Sequence, residues 1–184
     1  MGNISFLTGA SSNSPSSIGE SIYQLENCSV LFLAAWQKAP PDLVRAARVS
    51  SEAMAHLDHI VNVALRARDD SKAANTYAGS QFQAGLNRQC GLSVTPVTRL
   101  QQQALPAAGP GNGTIPGAGV ALTLEKLLNK IKHRRPNDAN FRVDQFGQHI
   151  FIVAVDKPNH QPDSIVEFPV KDFCVQCANI AQYT

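Results

Sequence analysis

The sequence predicts an α+β protein: an antiparallel helical bundle carrying a small C-terminal antiparallel β-sheet and a terminal helix. Three observations lead there. Apolar residues recur at spacings of three and four through the first half of the chain. Short Pro-, Asp- and Ser-containing connections between those stretches make the helices antiparallel neighbours. Beyond residue 140, β-branched and aromatic residues flank a Gly-containing turn, as in a hairpin.

Residues 1–17 are rich in Ser, Asn and Gly and read as a flexible N-terminal arm. The bundle is expected over 18–105. Its first helix spans 18–39, with Ile18, Ile22, Leu25, Val30, Leu31, Ala34 and Ala35 on or near one face and Trp36 near the end. Pro40-Pro41 closes it and opens a second helix, 41–68. There Leu43, Ala47, Ser50, Met54, Leu57, Val61 and Leu65 form a stripe, opposite Arg45, Arg48, Glu52, His56, His59 and Arg66. Asp69-Asp70-Ser71 is expected to break this helix before a third, 72–88, packed through Ala74, Tyr77, Ala78, Phe82 and Gly85. Thr95 and Pro96 suit the N-cap and first position of a short helix. Residues 106–120, nearly all Gly, Pro and Ala through 119, read as a loop or linker at a subdomain boundary.

The remaining segment, 121–184, opens with a helix over 122–134 whose apolar face is Leu124, Leu127, Leu128 and Ile131. "NFRVD" and "HIFIVAVD" flank a turn at Gln145-Phe146-Gly147, and "SIVEFPV" supplies a third strand with Pro169 at an edge or end. "KDFCVQCANIAQ" closes as a helix with Asp172 near its start.

Composition narrows the function classes. Of 184 residues, 43% are hydrophobic and 16% charged, which suits one ordinary domain with a buried core. A net charge of +2 is too mild to mark a nucleic-acid protein, so any such partner must meet a local patch. No apolar run approaches the ~20 residues of a membrane helix, and the start lacks the pattern of a secretory signal. Four scattered cysteines do not make a disulfide framework. The expectation is a soluble, reduced, cytoplasmic protein without a membrane partner.

The most charged stretch is "LEKLLNKIKHRRPNDANFR", 124–142. Lys126, Asn129, Lys130 and His133 share the helix face opposite the leucines. One reading is a solvated face whose cations complement the helix dipole. The other makes His133 a general acid/base, with Asn129 and Lys126 beside it, and Lys130, Lys132, Arg134, Arg135 and Arg142 holding a phosphodiester. A bundle with a late helix reading Asn129-Lys130-Ile131-Lys132-His133-Arg134 resembles the HEPN-like helical-bundle proteins. That resemblance implies an RNA-cleaving or RNA-binding protein of toxin or defence type, or a non-catalytic partner of one. Catalytic members carry an Arg, four to six residues, then a His on one helix. Here Arg142 and His149 have that interval but flank the expected turn.

Three weaker motifs complete the reading. Glu52, His56 and His59 share a helical face and offer up to three metal ligands, but lack the order of zinc peptidases, so no metal site is assigned. Cys174-x-x-Cys177 has no second pair at zinc-ribbon spacing and reads as core packing. The Gly-rich segment lacks the Gly-Lys-Ser/Thr of a phosphate loop. No cofactor follows from any of these. The sequence therefore points to a non-catalytic interaction or ligand-binding module, dimeric through its bundle helices, with a protein or small molecule as partner. The alternative is an HEPN-like protein acting on RNA through the "NKIKHR" helix end.

Overall fold

Ser17 caps the first helix by accepting a hydrogen bond from the Glu20 amide, 3.2 Å. The computed structural model describes residues 17–156 and 162–184, so the N-terminal arm, apart from Ser17, lies outside the described residues. Among the described residues, six α-helices and a five-stranded antiparallel sheet make an α+β fold. The helices are α1 (Ile18–Trp36), α2 (Leu43–Ala73), α3 (Gln81–Leu86), α4 (Arg99–Ala107), α5 (Leu124–Lys132) and α6 (Val170–Ile180). The strands are β1 (Gln89–Val94), β2 (Val120–Thr123), β3 (Arg134–Val143), β4 (His149–Val155) and β5 (Ser164–Pro169), in the order β2-β1-β5-β4-β3.

The three expected strands form one side of this sheet, and β1 and β2 extend it. Neither looked like a strand, for local reasons. β1 carries Gly91 at φ 91°, where a side chain would meet the Glu167 carbonyl oxygen at 2.5 Å, and its ladder shifts register there. β2 is four residues long and leads directly into the Thr123 N-cap of α5.

Alternation along the strands separates two apolar layers. Phe151, Val153 and Val155 of β4, with Val166 and Phe168 of β5, face the bundle and join the main core with α1, α2, α3, α5 and α6. Ile150, Ile152, Ala154 and Ile165 face the other way and pack with Leu105 of α4 and Val97. The main core draws on residues both before and after the Gly/Pro-rich segment.

Several helices depart from the expected limits. On α1 the buried face continues through Cys28, Phe32 and Ala35, while Val30 (61% exposed) and Leu31 (40%) point away. That is the continuation of Ile18, Ile22 and Leu25 at 3.6 residues per turn. Asp69-Asp70-Ser71 does not end α2. Arg68 pairs with Asp69 at 2.7 Å, and the Ser71 hydroxyl donates to the Ala67 carbonyl, also 2.7 Å. The helix ends at Ala73, ahead of Asn75 with φ 56°. The expected third helix is therefore reduced to α3, capped by Ser80. α4 starts later than expected, because Thr98, not Thr95, is its cap, in a reciprocal capping box with Gln101.

Candidate functional site

The N-terminal half of α2 carries a stripe of apolar and small residues that is only partly covered: Leu43 and Ala47 are exposed, Ser50 is half-buried and Met54 packs against the main core. Leu43, Ala47, Ser50 and Met54 line a cavity of about 320 Å³. Its other walls are the C-terminal half of α1 and the bundle face of β3 and β4, through Phe32, Trp36, Phe141 and Phe151. Pro110 of the Gly/Pro-rich segment closes one side.

Asn140 of β3 builds that side. Its Nδ2 donates to the carbonyls of Leu105 (2.6 Å) and Gly109 (2.9 Å), and its Oδ1 accepts from the amides of Gly111 (3.2 Å) and Phe141 (2.8 Å). A second tie runs from the Gly113 amide to the Phe141 carbonyl, 3.1 Å. Gly111, at φ 83°, lies so close to Trp36 that a side chain there would meet the indole at 2.7 Å. The segment expected as a linker is thus held along β3 through 113, and its first residue, Pro106, lies within α4.

The rings in the wall are ordered. Phe32 is parallel to His149 (4.8 Å between centroids, 6°) and to Trp36 (6.4 Å, 3°). Phe141 stands edge-on to all three, at 4.7 Å from Phe32, 4.8 Å from Trp36 and 5.8 Å from His149. His149 Nδ1 lies 3.0 Å from Ser29 Oγ. Burial pushes this imidazole down to about 4, so it is neutral at physiological pH. Burial, then the charge on Glu52, raises the Cys28 thiol on the same wall. No Lys, Arg, Asp or Glu lines the cavity among the described residues.

The basic stretch is arranged otherwise. The Arg134 guanidinium grips both oxygens of Asp58 on α2 at 2.5 and 2.8 Å. Arg135 binds Asp138 at 2.8 Å and Asp156 at 2.5 Å, and Arg142 makes a bidentate pair with Glu167 at 2.5 and 3.0 Å. Lys130 Nζ donates to Ser164 Oγ at 2.7 Å, and burial lowers its pKa. Asn129 faces α2: its Oδ1 accepts from Arg68 at 3.3 Å and its Nδ2 donates to the Glu125 carbonyl at 2.8 Å. Lys126, Lys132 and His133 are exposed. His133 is the C-cap of α5, and its carbonyl accepts from the Asp156 amide at 3.2 Å. Asn129 and His133 therefore do not share a cleft: one packs against α2 and the other meets solvent.

In the Glu52/His56/His59 motif two members have structural partners, while His56 Nδ1 is buried with no hydrogen-bond partner among the described residues. His59 Nδ1 is 2.8 Å from Ser21 Oγ, and Glu52 forms an exposed pair with Arg48. No group of three or more His, Cys, Asp or Glu among the described residues is placed to hold a metal. Cys90, Cys174 and Cys177 are buried thiols; burial pushes Cys90 and Cys174 up to about 12, and Cys177 well above its usual range. No helix among the described residues is long and apolar enough to cross a membrane.

Comparisons add no named relative: no family model, no curated protein and no solved structure matches this chain. Function is therefore argued from the site alone. The α2 stripe is visible in the sequence as the apolar face of a bundle helix; the cavity depends on what faces that stripe across the fold.

Proposed function

We propose that the chain is a non-catalytic ligand-binding module that takes an apolar small molecule between the α1–α2 hairpin and the β3–β4 face. One observation carries this reading: a cavity of about 320 Å³ walled by ordered aromatic rings and the apolar face of α2. Binding pockets have this character, mostly apolar with a few oriented polar groups, and a single domain holds few of them.

The polar groups here suit binding better than catalysis. A Ser–His pair suggests nucleophilic chemistry, but Ser29 meets the ring through Nδ1, and no carboxylate among the described residues orients the other nitrogen. A histidine that protonates only near pH 4 is also a weak base for a serine hydroxyl. The HEPN-like alternative draws support from the exposure of Lys126, Lys132 and His133. Against it, Arg134, Arg135 and Arg142 already neutralise carboxylates, and a phosphate would have to displace those partners.

The test is titration with the neutral dye N-phenyl-1-naphthylamine, followed through Trp36, the chain's single tryptophan and part of the cavity wall. Saturable one-to-one binding is expected. Replacing Ser50 and Ala53, which line the cavity, by Leu should abolish it without loss of helical circular dichroism. Dye binding that survives this filling would move the site elsewhere. In parallel, RNA incubated with the protein should stay intact and unbound; salt-sensitive binding would favour the alternative.

A further inference from the structure

The polar capacity of this cavity is nearly used up, and what remains defines the ligand. Asn140 lines it but spends both donors and its oxygen on Leu105, Gly109, Gly111 and Phe141. Ser29 and His149 bond to each other. The Ser29 hydroxyl, which has no other acceptor among the described residues, is assigned as the donor to His149 Nδ1. In a neutral imidazole that places the ring proton on Nε2. Nε2 has no hydrogen-bond partner among the described residues and is not sealed from solvent-accessible space.

Resting on the ligand-binding reading, we infer that the cavity selects an uncharged, planar aromatic molecule bearing one hydrogen-bond acceptor, such as an aryl ketone, which accepts from His149 Nε2–H. Three features converge on this class. The flat, mutually ordered rings of Phe32, Trp36, Phe141 and His149 favour a flat partner that stacks or meets them edge-on. The absence of charged lining residues makes a carboxylate or ammonium costly to bury. With Ser29 as the donor to Nδ1, His149 Nε2 offers only a donor, and the Ser50 hydroxyl, the other lining group without a partner among the described residues, can also donate, so the lining rewards an acceptor. A volume of about 320 Å³ limits the ligand to one or two fused rings with a short substituent.

The test compares three probes of one shape by titration calorimetry: 2-acetylnaphthalene, 2-isopropylnaphthalene and 2-naphthoate. Acetylnaphthalene should bind about five- to tenfold tighter than the hydrocarbon, the advantage of one buried hydrogen bond. Naphthoate should be the weakest by at least about tenfold. In His149→Phe, which keeps a flat ring without the donor, the ketone preference should shrink to within about twofold. Equal binding of ketone and hydrocarbon, or tightest binding of naphthoate, would overturn this ligand class while leaving an apolar ligand site standing. Failure of all three probes together with the dye would remove the site itself. The wild-type comparison decides the class even if His149→Phe does not fold. A ketone preference that persists in a folded His149→Phe would overturn the role of His149.

Discussion

Ser29 on α1 and His149 on β4 lie 120 positions apart in the chain, and their Oγ and Nδ1 atoms meet at 3.0 Å. This bond crosses between the helical hairpin and the sheet at the wall of the cavity. Burial beside Phe32 and Phe141 keeps the imidazole neutral, since an imidazolium there would be poorly solvated. The consequence is a pH dependence of stability that can be isolated.

His149 titrates near 4 in the folded chain and near 6.5 when unfolded. Between those values the unfolded chain binds the proton more readily, so stability rises with pH across that interval. On acidification from 6.5 to 4 the wild type should lose roughly 3 kcal/mol through this group, and only a few tenths of a kcal/mol more below 4. His149→Gln should remove that component. Urea unfolding at pH 7, 5.5 and 4.5 is the measurement; parallel pH curves for the two proteins would refute the assignment.

Asn140 should be costly to truncate. Its amide bonds four backbone groups, three of them on residues 105–111. Asn140→Ala leaves these groups without that partner and should destabilise by about 3 kcal/mol. The loop would also lose its hold beside the cavity. Trp36 emission should then shift to the red, because Gly111 packs on that ring. An emission spectrum with no red shift, at full stability, would contradict this account of the wall.

Arg134 and Asp58 join the start of β3 to the middle of α2 by two hydrogen bonds. Asp58 is half exposed, so solvent screens the pair, and Arg134→Ala should cost only about 1–2 kcal/mol. In a double-mutant cycle with Asp58→Ala, a coupling of about 1 kcal/mol is expected. Zero coupling would mean that the guanidinium is available to other partners, as the phosphate-binding reading requires.

These residues also explain what the sequence disclosed and what it hid. Helix α5 was legible because Leu124, Leu127, Leu128 and Ile131 are all buried, the periodic signal in its simplest form. The α+β class was legible from the hairpin of β3 and β4. The cations of 130–142 were visible as a charge cluster, but their partners Asp58, Asp156, Ser164 and Glu167 come from other elements. A cluster in sequence cannot be told from a set of separate ion pairs until the chain is folded. The cavity was hidden for the converse reason. The spacing of Leu43, Ala47, Ser50 and Met54 marks an apolar face, and does not state whether protein or open space lies opposite.

That distinction has a measurable consequence at Ser50. It sits on α2, half-buried at the cavity wall, and makes no hydrogen bond among the described residues. In a packed core, Ser50→Leu would overpack and cost about 1–3 kcal/mol. Facing an open cavity, the same change should stabilise by about 1 kcal/mol, because leucine is the better helix former and its methyl groups gain apolar contacts. Binding of N-phenyl-1-naphthylamine should weaken at the same time, by about tenfold, since the new side chain occupies the ligand's place. Opposite signs for stability and affinity are the mark of a functional cavity. A rise in stability with unchanged dye affinity would show that the space is a packing defect, and a fall in stability would show that there is no room to fill.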